Sequence, residues 1–190
     1  VNPNIKIPIL ILNIIKKKKI TFINFASQDE DKVEKYFQSK EITISNKLNY
    51  AVSKNICTKL LQNNYNNNFI MNLKIPIIYG EYSPVHMLYG EAEQCHKLNK
   101  QFKINNPHYL NNFISVRDLS NIIEILIDKN LFKKKYFYAD ISNNKPEKVI
   151  NFIKKHFPYL KIILPKKYIG KFQNNKTHTT TNKIIINYFK

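Results

Sequence analysis

Tyr50-Ala-Val-Ser-Lys54, preceded by the apolar run Ile20-Thr-Phe-Ile-Asn-Phe-Ala-Ser27, is the stretch from which the fold is read. The run predicts a short buried strand over 20–26 that delivers the Ser27 hydroxyl at its carboxyl end. Tyr50 and Lys54 stand at i and i+4, so they project from one face of a helix predicted over about 47–64. Open α/β sheets place their sites at the carboxyl ends of strands, where the three side chains can converge. An ammonium beside a phenol favours the phenolate. The pair is therefore expected to bring the Tyr50 pKa down toward working pH, where the phenol can move a proton to or from a substrate oxygen held by Ser27.

Working outward, Phe69-Ile-Met-Asn-Leu-Lys-Ile-Pro-Ile-Ile-Tyr-Gly80 predicts a buried strand over 69–75 running into a loop at Pro76, Tyr79, Gly80 and Glu81. Asn112-Phe-Ile-Ser-Val-Arg-Asp118 then leads into an amphipathic helix over 117–129, with Leu119, Ile122, Ile123, Leu126 and Ile127 on one face. Ser115 and Asp118 match an S-x-x-D capping box at its start. In this order the three blocks resemble the extended short-chain dehydrogenase/reductase superfamily, the NAD(P)-dependent epimerases, dehydratases and reductases of nucleotide sugars. The resemblance covers roughly residues 8–130, and three ordered blocks are far more specific than any one alone. Lys74-Ile-Pro-Ile-Ile-Tyr-Gly-Glu81 is most similar to the branch that holds dTDP-4-dehydrorhamnose reductase and the regulatory β subunit of methionine adenosyltransferase. Lys74 stands where that block usually has arginine.

The resemblance implies a doubly wound, parallel, Rossmann-like sheet and a cofactor, NADP or NAD. It implies that Tyr50 acts as acid/base, with Ser27 beside it, and that Lys54 also hydrogen-bonds the nicotinamide ribose. Pro76 and Ile77 fall where the family's backbone lines the nicotinamide. In the reductase branch a Thr or Ser stands one residue after Ser27; here Gln28 holds that place and could bond a substrate oxygen. Tyr79 and Glu81 are the further candidates for substrate contact. Residues 1–80 are expected to be the later part of the nucleotide-binding domain. Residues 81–190 are expected to form a smaller substrate lobe interleaved with elements of that domain. The family opens with a Gly-rich turn for the pyrophosphate. The three glycines here, Gly80, Gly90 and Gly170, form no such cluster and the first residue is Val1. The expectation is that the first βαβ units lie upstream.

Other features bound the reading. The 190 residues suffice for a sizeable core, and 43% hydrophobic content argues against wholesale disorder. No apolar run reaches the ~18 residues of a membrane span. Ile5–Ile15 is interrupted by Lys6 and Pro8 and is followed by no signal-peptide cleavage site. Two cysteines, Cys57 and Cys95, fit a reducing, cytoplasmic compartment rather than a disulfide framework. The five histidines make no metal pattern, and Cys95-His96 points to different faces of a helix. The net charge of +18 comes from scattered lysines among abundant Asn and Ile, a compositional bias rather than a nucleic-acid stripe. Lys16–Lys19 suits a helix carboxyl end.

The remaining pattern predicts helices over about 8–18, Val85–Lys100 and Pro146–Phe157, and strands near Phe113–Ser115 and at Lys135–Ala139. A polar loop over 28–46, another at Asn63–Asn68 and a closing helix at Thr181–Phe189 complete it. Two functions suit the whole: an oxidoreductase or epimerase acting on a nucleotide-linked sugar, or a non-catalytic regulatory subunit docking on a methionine adenosyltransferase catalytic subunit.

Overall fold

The computed structural model describes residues 3–15, 20–33, 46–63, 69–129, 136–141 and 145–165. Lys16–Lys19, most of the 28–46 loop, positions 64–68 and the closing segment at Thr181–Phe189 lie outside the described residues. Two compact units divide the chain. The first holds Val1–Ile75, Ile122–Ile141 and Thr181–Lys190, and the second holds Pro76–Asn121 and Ser142–Thr180.

The first unit is built on three parallel strands, β1 (Thr21–Ser27), β2 (Phe69–Ile75) and β7 (Tyr136–Asp140), in the order β1-β2-β7. Register runs in step from Thr21↔Phe69 to Ser27↔Ile75, and from Ile70↔Tyr136 to Lys74↔Asp140. Parallel neighbours need crossover connections, and the helix α2 (Asn46–Asn63) lies between β1 and β2 in the chain. The central strand is covered on both faces: Ile70, Met71, Asn72, Leu73 and Lys74 are all buried. That is the behaviour of a parallel sheet between helical layers. On one face Cys57 and Leu61 of α2 pack on Ile70, with Phe22 and with Leu12 of helix α1 (Pro3–Ile15). The fold is α/β, with a mostly parallel, doubly wound Rossmann-like sheet and a small additional lobe.

Helix α1 begins at Pro3, earlier than the sequence pattern predicts. Proline is well tolerated at a first helical position because its missing N–H has no partner to lose there. Asn4 of α1 donates to Ser53 Oγ of α2 at 3.1 Å.

The second unit contains short paired strands. Strand β3 (Ile77–Tyr79) runs parallel to β6 (Phe113–Ser115), and β4 (Phe102–Lys103) runs parallel to β9 (Ile162–Ile163). Strand β5 (Leu110–Asn111) is antiparallel to β8 (Glu147–Lys148). Helices α3 (Leu88–Lys97) and α5 (Val149–His156) supply Ala92, Val149, Phe152 and Ile153 to a core shared with Phe102, Ile104, Phe157 and Leu160. Helix α4 (Val116–Asp128) follows β6 directly. The helix expected from Pro146 starts instead at Val149, because Glu147 and Lys148 pair with Asn111 and Leu110. The helix expected from Val85 starts at Leu88, because the chain first turns, with Met87 N–H on the Pro84 carbonyl at 2.9 Å.

Gly90 marks a close approach. A Cβ there would stand 2.3 Å from the Pro84 carbonyl oxygen and 2.4 Å from that of Ser83, so only glycine lets α3 start against this turn.

Candidate active site

At the carboxyl end of β1 the chain folds Ser27 into the cap of a 3-10 turn, Gln28–Glu30. Ser27 Oγ accepts from Asp29 N–H at 3.2 Å, and Glu30 Oε1 accepts from Ser27 N–H at 3.0 Å. Ser27-Gln-Asp-Glu30 is therefore an S-x-x-E capping box, a pattern present in the sequence and missed in reading it. Ser27 and Glu30 are both buried, the latter only 5% exposed.

Helix α2 brings Tyr50 and Lys54 to the same strand end. Tyr50 is 42% exposed and shares a side-chain hydrogen bond with Ser27. Lys54 Nζ stands 6.0 Å from the centroid of the Tyr50 ring and donates to the Phe25 carbonyl at 2.9 Å. Three of the expected residues, Ser27, Tyr50 and Lys54, are thus brought together. Gln28 follows directly as the first residue of the 3-10 turn.

The electrostatics differ from expectation. Burial pushes the Tyr50 phenol up from its ordinary value, and the Asp29 and Glu30 carboxylates push it the same way. The Ser27 hydrogen bond pulls it down without reversing the shift. The expected lowering by Lys54 does not enter; its ammonium donates to the Phe25 carbonyl and stands 6.0 Å from the centroid of the Tyr50 ring.

Beneath this group lies a buried polar layer. Burial raises the Glu30 carboxyl, opposed by bonds to Ser27 and Thr58 and by the charges of Lys54 and Lys74. Lys74, 7% exposed, ion-pairs Asp31 at 2.8 Å and Asp140 at 2.7 Å. Desolvation, the largest single influence, lowers its pKa, but the two carboxylates together outweigh it and the ammonium is held above its ordinary value. Asn24 Nδ2 donates to Asn72 Oδ1, and Asn72 Nδ2 donates to Thr58 Oγ1 at 3.0 Å. Glu30 and the acidic partners of Lys74 escaped the sequence reading. Nothing local in sequence announces a pairing across 43 residues.

Within the second unit, Pro76 is buried in the step between β2 and β3, and Ile77 N–H donates to the Asn112 carbonyl at 3.2 Å. Tyr79 packs edge-on against Phe152 at 4.9 Å and near Tyr89 and His156, and burial raises its phenol. Glu81 is exposed. Asp118 N–H donates to Ser115 Oγ at 3.0 Å and Ser115 Oγ donates to Asp118 Oδ2 at 2.7 Å, which starts α4 as the S-x-x-D spacing predicts. Among the described residues no group of three or more His, Cys, Asp or Glu is placed to hold a metal ion, and no helix is long and apolar enough to cross a membrane.

No family model matches the sequence, and no curated protein matches it at a significant level. Solved structures do match. MoeE5 in complex with UDP-glucose and NAD superposes with a TM-score of 0.66 at 12% identity, covering 88% of this chain and 58% of that one. UDP-glucuronic acid 4-epimerase from Bacillus cereus, in complex with UDP-glucuronic acid and NAD, gives 0.61 at 15% identity, with 86% and 55% covered. RMD from Pseudomonas aeruginosa, complexed with NADPH, gives 0.59 at 16%, with 85% and 61% covered. At such identities the likeness defines the fold, the Rossmann-like α/β fold that these proteins share. The chain spans little more than half the length of the structures it matches.

Proposed function

We propose that this chain belongs to an NAD(P)-binding protein that acts on a nucleotide-linked sugar as a reductase or epimerase. The observation that carries the reading is the meeting of Ser27, Tyr50 and Lys54 at one strand end, with Ser27 bonded to Tyr50. The three solved structures described above bear NAD or NADPH, and two of them also bear a UDP-linked sugar or sugar acid.

The residues present fit the nicotinamide end of such a cofactor. Lys54 carries three N–H donors, of which one is used by Phe25, so it can meet a ribose hydroxyl. When bound, the cofactor supplies the hydride. Tyr50 holds or moves the proton at the substrate oxygen, and Ser27 orients that oxygen. Pro76 and Ile77 are proposed to line the nicotinamide, and Gln28, Tyr79 and Glu81 to meet the substrate, on the resemblance alone. The free thiols Cys57 and Cys95 suit a cytoplasmic setting. Within the superfamily, the dTDP-4-dehydrorhamnose reductase branch remains the preferred place for the Lys74–Glu81 block.

One observation favours a second, non-catalytic reading. The Tyr50 phenol is pushed up rather than down, which suits binding better than proton transfer. A regulatory subunit of methionine adenosyltransferase is that alternative.

The test uses the chain with nicotinamide mononucleotide and with NADH, read by saturation-transfer NMR. Saturation reaching the nicotinamide ribose protons, and lost in Lys54→Ala, supports the cofactor site. Equal transfer in the variant, or none to either ligand, overturns it.

A further inference from the structure

Glu30 has no part in the reading above, yet it is the most deeply buried carboxylate at the strand end. Its Oε1 holds the Ser27 main-chain N–H at 3.0 Å. It faces charged or titratable groups from each element packed around it. Tyr50, Lys54 and Cys57 of α2 all sense its charge or are sensed by it, and so does Lys74 of β2. Thr58 bonds its side chain. Asp29 adjoins it in the turn and adds its own charge at Tyr50. Asp31 and Asp140 reach the same group through Lys74.

A surface capping box needs only a carboxylate that solvent can also reach. Here the carboxylate is removed from water at an energetic cost, and it lies beside the two side chains on which the proposed chemistry depends. Its carboxyl bonds the backbone of the residue whose hydroxyl meets Tyr50. It therefore acts on Tyr50 in two ways: by fixing where Ser27 sits, and by the negative charge it adds nearby.

We propose that Glu30 is a positioning residue of the Tyr50 site, its buried carboxylate fixing the Ser27 main chain and setting the charge felt by the Tyr50 hydroxyl. The proposal rests on the reading of Tyr50 as the functional phenol, but its test needs neither cofactor nor turnover.

Tyrosine ring 13C resonances are followed through an alkaline titration, with Tyr50 assigned by its loss in Tyr50→Phe. Glu30→Gln keeps an oxygen for the Ser27 N–H and removes the charge. The Tyr50 midpoint is expected to move down, since a lost neighbouring anion favours phenolate. Glu30→Asp keeps the charge but shortens the reach, so amide-exchange protection of Ser27 should fall while the Tyr50 midpoint stays high. An unmoved midpoint in folded Glu30→Gln overturns the proposal. A purely structural cap would give that result. If Glu30→Gln does not fold, the wild-type chain decides. The Ser27 amide and Tyr50 ring resonances should share one inflection on the acid side. Inflections at different midpoints, or none at Tyr50, overturn the proposal. Failure of nicotinamide binding with a moved Tyr50 midpoint would sink the functional reading alone.

Discussion

Lys74 and Asp140 are Cα partners in the β2–β7 ladder and their side chains close an ion pair at 2.7 Å within it. Lys74 is almost wholly buried and Asp140 largely so, which sets this pair apart from the Lys97–Glu93 pair on α3, whose lysine is exposed and whose glutamate is half-buried. Removing one member of a buried pair leaves the other charge without compensation. Lys74→Met should therefore lower the unfolding free energy by about 3 kcal/mol. Asp31→Asn, whose side chain is 57% exposed, should cost less than about 1 kcal/mol. Urea denaturation of both variants checks the ranking; equal losses would mean that the Asp140 contact does not dominate.

Glu30 gives the fold an acid-side dependence whose sign follows from its raised pKa. The folded state holds this proton more tightly than the unfolded state, so stability falls as pH rises from the ordinary carboxyl value through the folded one. Glu30→Gln removes that limb. Urea midpoints from about pH 4 to 7 should show wild type losing ground to the variant as pH rises. Parallel curves would place the Glu30 pKa at its unfolded value.

Asn72 links Asn24 to Thr58 inside the sheet and is fully buried. Truncation to alanine strands the Asn24 amide and takes the Asn72 donor from the Thr58 hydroxyl, which keeps its bond to Glu30. The expected cost is about 2 kcal/mol or more. Thermal and urea unfolding measure it, and a loss near zero would mean that the two partners rebond to each other.

Gly90→Ala should damage the second unit more than Gly80→Ala. At Gly90 the new methyl meets two main-chain carbonyls, neither of which can swing away. At Gly80 it meets Val116 Cγ1 at 2.9 Å, the end of a side chain, although φ of 147° adds backbone strain. The expected loss at Gly90 is about 3 kcal/mol. Circular dichroism melts give the comparison.

Tyr50→Phe should lower any reductase or epimerase turnover by about 100-fold or more, with cofactor affinity nearly unchanged. Lys54→Ala should weaken both. Single-turnover kinetics beside a cofactor titration separates the two effects; equal loss of binding in Tyr50→Phe would contradict its assignment to the proton.

The strands at Thr21–Ser27 and Phe69–Ile75 and the helix at Asn46–Asn63 were legible because each is encoded locally. The first two are short, mostly apolar runs, and the third is a long stretch without Pro or Gly. The convergence of Ser27, Tyr50 and Lys54 was legible because i, i+4 spacing and strand-end geometry leave little freedom. What escaped depended on distance in space. The orientation of Lys54 toward Phe25 is set by where the β1 main chain runs, and the sign of the Tyr50 shift is set by burial of its phenol beside Asp29 and Glu30. The start of α5 moved to Val149 because pairing with Leu110–Asn111 claimed the preceding residues, a competition that no local propensity records.

The acceptor that Lys54 uses belongs to the main chain and not to the phenyl side chain of Phe25. Replacing residue 25 with any other amino acid leaves that carbonyl in place. Sequence drift at the acceptor position is therefore silent for this contact, which can be abolished only by changing position 54 itself or by shifting β1. Two chains that share the lysine can differ at every strand side chain and still tether it alike.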